Sequence, residues 1–296
     1  MRPARRAGFT LVELLIALAI FGVVIAQAFA VFGAQHVTYT GTERSIEVQQ
    51  DVRLVADAML SDIRMAGYMV PRIAGIASVD GGTTSADVIC VSDPAKIDDA
   101  EVDKATERFD GADVAVAVNA GDGAVTLGSL DVDGDTDADF AAGEGIIIAD
   151  GTSSHCALIT AVAGNVVTFT PVTPVGFVAS IGSGTAVPAI RYEVSGSDLR
   201  RNGLRLSTQV EDIQLEFGID GDGDGQLAAG EYLNVLNGAD PLDLLAVRLS
   251  VIARADRADD DLQLAGRPAA ANRTAGAADG FRRRRVTASI LPRNLL

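Results

Sequence analysis

Tryptophan is absent from this chain of 296 residues, and aromatic side chains make up only 5% of it. A folded core must therefore rest on Val, Ile, Leu and Ala. There are two histidines, and no G-x-S-x-G, H-E-x-x-H or phosphate-loop pattern occurs. Catalysis has little to stand on, and a non-enzymatic role is expected. Positive charge is scarce too, with 24 Lys and Arg against 40 Asp and Glu for a formal −16. Such a surface repels phosphates, which argues against electrostatic nucleic-acid binding by the whole domain. Cysteine is limited to Cys90 and Cys156. In an exported protein such a pair is most simply a disulfide, and closing a loop of about 65 residues adds on the order of 4 kcal/mol in the chain-entropy model. Two buried free thiols are the competing reading, since sequence does not bring the sulfurs together.

Against these scarcities stands one long apolar run. Residues 1–8 (MRPARRAG) form a basic leader, followed by residues 9–34 (FTLVELLIALAIFGVVIAQAFAVFGA), interrupted by one carboxylate, Glu13. As a helix that run measures ~39 Å, enough to cross a ~30 Å hydrocarbon layer. Arg2, Arg5 and Arg6 hold its start in the cytoplasm, so the rest of the chain faces the periplasm. A secretory signal places its apolar core before the cut and loses it. Here Gly8 lies ahead of the run, so cutting between Gly8 and Phe9 leaves the membrane segment as the new N-terminus. Losing the leader's three arginines takes −16 to −19. An acid within a spanning helix costs roughly 2.5–3.5 kcal/mol on insertion scales, so Glu13 needs a partner or a job. The plain alternative is a single-span anchor whose Glu13 reaches the headgroups.

The helix is expected to continue. Val48, Val52, Val55, Met59 and Ile63 recur on one helical face, with charges on the other. Gly67 and Pro71 supply a stop, while Gly22, Gly33 and residues 38–41 are places where the rod bends or loosens. The combined element over residues 9–70 is a stalk of roughly 90 Å at ~1.5 Å per residue. Beyond Pro71 the texture changes to short β-branched runs between Gly, Asp and Ser. Strands are expected at 87–91, 114–118, 124–127, 145–149, 157–162, 166–170, 190–194, 213–217, 245–252 and 286–291. The fold class is therefore α+β, a long N-terminal membrane-spanning helix packed against an antiparallel β-rich head over residues 71–296. Residues 93–110 and 254–280 read as loose loops. The run Arg282–Arg285 reads as a solvated charge cluster or a contact for a partner or lipid.

The most chemical feature of the head is residues 220–231, DGDGDGQLAAGE. Asp220, Asp222 and Asp224 occupy the first acidic positions of a calcium loop. Gly225 stands at its turn, Gln226 offers a carbonyl and Glu231 fills the twelfth position. Uncompensated, these like charges repel one another, so a structural Ca2+ is expected; a solvated Asp/Gly turn is the alternative. A weaker candidate runs from Asp133 through Asp135 and Asp137 to Glu144, with Ala138 where a turn glycine belongs; the alternative is that Asp131–Asp139 is a hydrophilic hairpin tip, with Gly143 and Glu144 opening the next strand.

The junction G-F-T-L-V-E at residues 8–13 resembles the signal of type IV pilins and of the pseudopilins of type II secretion. Residues 48–68, with their D-I-R-M-A-G-Y ending, resemble the end of the stalk helix in PilW-type minor pilins. Residues 189–203 (AIRYEVSGSDLRRNG), 210–220, 244–253 and 284–295 are similar to later parts of that group. The resemblance implies cleavage between Gly8 and Phe9 by a prepilin peptidase and N-methylation of Phe9. It also implies that Glu13 pairs with the free amine of a neighbour's Phe9 as stalks pack with other pilins. The chain would then sit in the inner membrane with a periplasmic head, and later in a pilus at the cell surface, priming assembly or occupying the tip. A tip pseudopilin of a type II secretion system and a calcium-dependent single-span adhesin are the alternatives.

Overall fold

The computed structural model describes residues 10–97, 111–170, 177–236, 243–259 and 264–295. The chain divides into two compact units, Met1–Glu47 and Val48–Leu296. Helix α1, Leu11–Met65, runs through that boundary, so the last turns of the helix belong with the head. In the first unit the apolar side chains of α1 are exposed along its length, with Leu11 at 74% and Phe29 at 73%. The helix is unbroken past Gly22, Gly33 and Gly41, where looser backbone was expected. Thr38 Oγ1 donates to Ala34 O at 2.9 Å, and Thr42 Oγ1 to Thr38 O at 2.9 Å. These hydroxyls find acceptors within the helix itself.

In the second unit the periodic face of α1 is buried, with Val48, Val52, Val55, Met59 and Ile63 all at 1% exposure or less. The helix stops where the chain reaches Gly67, whose φ of 81° suits glycine and few other residues. The terminal carbonyls of Arg64 and Met65 are taken by Arg293 N at 3.3 Å and Asn294 Nδ2 at 3.2 Å. Leu295 packs against Gly67 and Gly75 so closely that a Cβ on either would collide with it.

After α1 come β1 (Ile76–Val79), β2 (Val88–Ser92), β3 (Ala112–Asp113), β4 (Val118–Asn119), β5 (Ala124–Thr126), β6 (Gly145–Ala149), β7 (Ser154–Ala163) and β8 (Val166–Phe169). They are followed by β9 (Val178–Ala179), β10 (Thr185–Ser195), β11 (Asp198–Arg201), β12 (Leu204–Ser207), β13 (Val210–Ile219), β14 (Tyr232–Leu233), β15 (Leu244–Arg254) and β16 (Arg283–Ile290). The larger sheet runs β1-β2-β10-β6-β7-β8-β5, with β3 and β11 also on β10 and β12 on β11. The smaller runs β14-β13-β15-β16, and β4 pairs with β9. All of these pairings are antiparallel.

The larger sheet is rolled. Cys90 of β2 and Cys156 of β7 are bonded, with Cα atoms 5.4 Å apart, although β10 and β6 lie between them in the ladder. In a flat sheet strands three apart would sit about 14 Å from each other. The curl brings β1 to β7, where Ser154 Oγ donates to Ile76 O at 3.1 Å. Its interior is lined by the disulfide and by alanines such as Ala77, Ala149 and Ala189, together with Ile97, Ile147 and Val187. The principal core lies between α1, the β2–β10 part of this sheet and the inner face of β13 and β15. A separate core sits under β5, β7 and β8.

Two further expectations are corrected. The run 114–118 is no continuous strand: Val114 N bonds to Gly184 O and Ala115 N to Thr126 O. The chain thus crosses from the side of β10 to the side of β5 and pairs only briefly with each. The stretch expected to be loose at 254–280 is held by charge. Asp212, fully buried on β13, accepts Arg267 Nη1 at 2.7 Å and Arg273 Nη1 at 2.5 Å. Arg282 meets Asp259 at 2.6 Å, and Arg283 meets Glu211 and Asp279 at 2.5 Å each. Two of the four terminal arginines therefore serve the fold's own ion pairs. Residues 98–110 and 260–263 of the expected loose loops lie outside the described residues.

Candidate functional site

Gly8 and Phe9, the expected processing point, lie outside the described residues. Just beyond them Thr10 N and Oγ1 both donate to Glu13 Oε2, at 2.9 and 3.0 Å, and Glu13 N donates to Thr10 Oγ1 at 3.3 Å. This is a reciprocal capping box, which satisfies N–H groups that have no partner within a helix's first turn. The T-x-x-E spacing is visible in the sequence, and the structure gives Glu13 a local partner in Thr10 beside the external amine or headgroups that its place in an apolar run suggests. Among the described residues its Oε1 has no hydrogen-bond partner. The segment that follows is long and apolar enough to cross a membrane.

The acidic loop after β13 brings Asp220, Asp222 and Asp224 together, one oxygen of each lying within 4.8 Å of the others. Asp220 Oδ1 accepts Gly223 N at 2.8 Å and Oδ2 accepts Gly225 N at 2.8 Å. Asp222 Oδ1 accepts Asp224 N at 3.2 Å, and Asp224 Oδ1 accepts Gln226 N at 2.7 Å. Glu231 stays outside that triad. Its Oε1 accepts Gly221 N at 3.1 Å and its Oε2 accepts Ala228 N at 2.7 Å, closing the loop. Bonds from backbone N–H groups, Gly225's foremost, hold the Asp220 carboxyl below the usual carboxylate range.

The second acidic loop has the same wiring, begun two residues earlier than the sequence reading placed it. Asp131 accepts Gly134 N at 2.7 Å and Thr136 N at 3.1 Å, as Asp220 does three and five residues on. Asp133 then accepts Asp135 N at 3.3 Å, and Asp135 accepts Asp137 N at 2.8 Å. The left-handed turn position falls on Thr136, φ 81°, matching Gly225 at 76°. Ala138 is therefore not at the turn. Asp139 closes the loop by accepting Val132 N at 2.6 Å, the role Glu231 plays in the other.

The acids that gather here are Asp131, Asp133 and Asp139, again within 4.8 Å. Glu144 lies apart, 3.7 Å from Lys96. In the sequence the repeated A-A-G-E ending points to Glu144, and Asp131 and Asp139 stand only as the ends of a hydrophilic hairpin tip. Asp133 and Asp139 are buried. Burial, reinforced by neighbouring carboxylates, pushes Asp139 up to about 6. Both triads offer oxygen donors alone, the donor type that hard divalent cations such as calcium take.

Separate stretches that carried the pilin resemblance meet at one node. Asp62, in the D-I-R segment of α1, accepts the Tyr192 hydroxyl at 2.6 Å and Arg201 Nε at 3.1 Å. Asp51, about three turns earlier on the same face of α1, accepts Ser207 Oγ at 2.5 Å. These contacts fix the β10–β12 hairpins on the buried part of the helix. His155 is buried beside Phe177, ring centroids 6.2 Å apart, and burial lowers it to about 4. It is a neutral packing residue beside a bonded cysteine.

The profile of the prokaryotic N-terminal methylation motif matches residues 3–26, and that of the type IV pilus-assembly protein W family matches residues 177–294. Among solved structures, a type IV-like pilin from Thermus thermophilus aligns at 13% identity and a TM-score of 0.26, covering 52% of this chain and 86% of that one. No curated protein matches the chain significantly.

Proposed function

We propose that this chain, a member of the type IV pilin-like minor pilins through its N-terminal methylation motif and its PilW region, primes assembly of a type IV pilus or occupies its tip. The motif implies processing by a prepilin peptidase and assembly with other pilins. The observation that carries the reading is an α1 whose first half exposes its apolar side chains and opens with a capped acid. Cutting ahead of Phe9 would free an amine next to that cap. Glu13 Oε2 would remain on Thr10, while Oε1 accepts the amine of a neighbouring subunit. In a hydrocarbon layer such a pair offsets the cost of the buried acid and sets the axial register of the two helices. Function then lies in helix packing and the exposed head, with no bond-making step.

Mass spectrometry of the protein purified from membranes should find Phe9, N-methylated, at the N-terminus. A chain beginning at Met1, or one lacking the apolar run, would overturn the proposal. Glu13→Ala should abolish incorporation into filaments while leaving membrane insertion intact.

We further propose that calcium is held in the two acidic loops as a structural ion. Three convergent carboxylates in each loop and their shared backbone wiring support this. In one loop the holders would be Asp220, Asp222 and Asp224, with Gln226 and Glu231 nearby. In the other they would be Asp131, Asp133 and Asp139. A bound divalent cation screens charges that otherwise repel.

A further inference from the structure

In a chain with a formal charge of −16, the hairpin of β11 and β12 concentrates arginine. Glu193 of β10 lies directly opposite Arg200 of β11, and Arg200 opposite Arg205 of β12. Directly opposed side chains share a face, and Arg191, two residues before Glu193, lies on it as well. Arg191 Nη1 sits 2.6 Å from Glu193 Oε2 as an ion pair without hydrogen-bond geometry. Arg205 reaches Asp198 only at 3.9 Å, and its side chain is 63% exposed. Arg200 makes no hydrogen bond or ion pair among the described residues, although its Nε is sealed from solvent, as is that of Arg191. Buried donors without acceptors are costly, and native structures rarely leave them so. Beside this row β12 is an edge strand, paired only with β11 among the described residues. It carries Leu204 and Leu206, 77% and 41% exposed, on the face opposite Arg205.

We propose that this face is a docking site for an acidic segment of a partner protein, whose carboxylates engage Arg200 and Arg205. Guanidinium groups match carboxylates in a two-pronged geometry, and a docked carboxylate would meet the terminal nitrogens of Arg200, which have no acceptor among the described residues. The register shift between Leu199 and Arg200 makes a bulge in the β11–β12 ladder. Bulges discourage simple strand addition at an edge, so recognition runs through side chains. The surface is distinct from the packing helix and does not depend on the pilus reading.

The test titrates the full chain, in detergent, against a fluorescent peptide of alternating glutamate and valine, read by anisotropy at low and high salt. Wild type should bind, and binding should weaken with salt. Arg200→Gln should weaken it about tenfold, while Arg200→Lys recovers part. Arg257→Gln, at a 78% exposed arginine paired with Asp256, should change nothing. If Arg200→Gln fails to fold by circular dichroism, Arg205→Gln carries the same expectation. No binding by wild type overturns the proposal, as does equal binding by the folded variants. Equal binding of a glutamine-for-glutamate peptide would do the same. Displacement of the peptide by inorganic phosphate at matched concentration would assign the face to small anions and refute a protein partner.

Discussion

Breaking the bond between Cys90 and Cys156 should loosen the rolled sheet at its seam. The cysteines are 66 residues apart, and a cross-link of that span removes about 4 kcal/mol of chain entropy from the unfolded state. The structure adds a reason for the bond's position. It ties β2 to β7 across a curl that the β10 and β6 ladders alone do not close, with the Ser154–Ile76 hydrogen bond beside it. For a unit of this size each kcal/mol moves the melting temperature by roughly 2–4 °C, so reduction should lower it by about 10 °C. The assay is thermal unfolding of the full chain in detergent by circular dichroism, with and without dithiothreitol. It should be repeated for Cys90→Ala/Cys156→Ala. Wild type should fall on reduction to near the double variant, and the double variant should ignore the reductant. Thiols that alkylate without reductant, or a melting point that moves less than about 2 °C, would refute the reasoning.

Three further outcomes follow from buried or clustered charge. Asp212→Ala should destabilise the head by about 3–5 kcal/mol, because Arg267 and Arg273 would be left buried without a counter-charge. Limited proteolysis should then cut within residues 264–276. Burial, opposed by the N–H groups of Gly81 and Leu215, raises Asp87 to about 7. Between the unfolded value near 4 and about 7 the folded chain keeps a proton that the unfolded chain releases, so stability should fall as pH rises through that window and level off above it. Urea unfolding from pH 4 to 8 should show this slope, and Asp87→Asn should flatten it. Calcium should raise the melting temperature, Asp222→Ala and Asp133→Ala should each remove part of the gain, and Glu144→Ala should remove none. A melting point indifferent to calcium would end the metal proposal.

The run of residues 9–34 by itself determines an apolar segment long enough to cross a membrane, because length and hydropathy are one-dimensional properties. The buried face of α1 was equally legible, since Val48 to Ile63 repeat at helical spacing. So were the longer strands, such as Gly145–Ala149, where β-branched residues run together. The register of the second acidic loop was not. Asp133 to Glu144 fits a linear pattern as well as Asp131 to Asp139 does, and only the fold shows which backbone N–H each carboxylate accepts. The stretch at 254–280 is poor in apolar residues and reads as loose. Its order comes from Asp212, which lies some fifty residues earlier and is buried by another strand. The rolling of the sheet, the meeting of Asp62 with Tyr192 and Arg201, and an Arg200 guanidinium without a partner among the described residues are likewise tertiary outcomes. Local sequence sets what each segment can form, but which distant charges meet is decided only when the chain closes on itself.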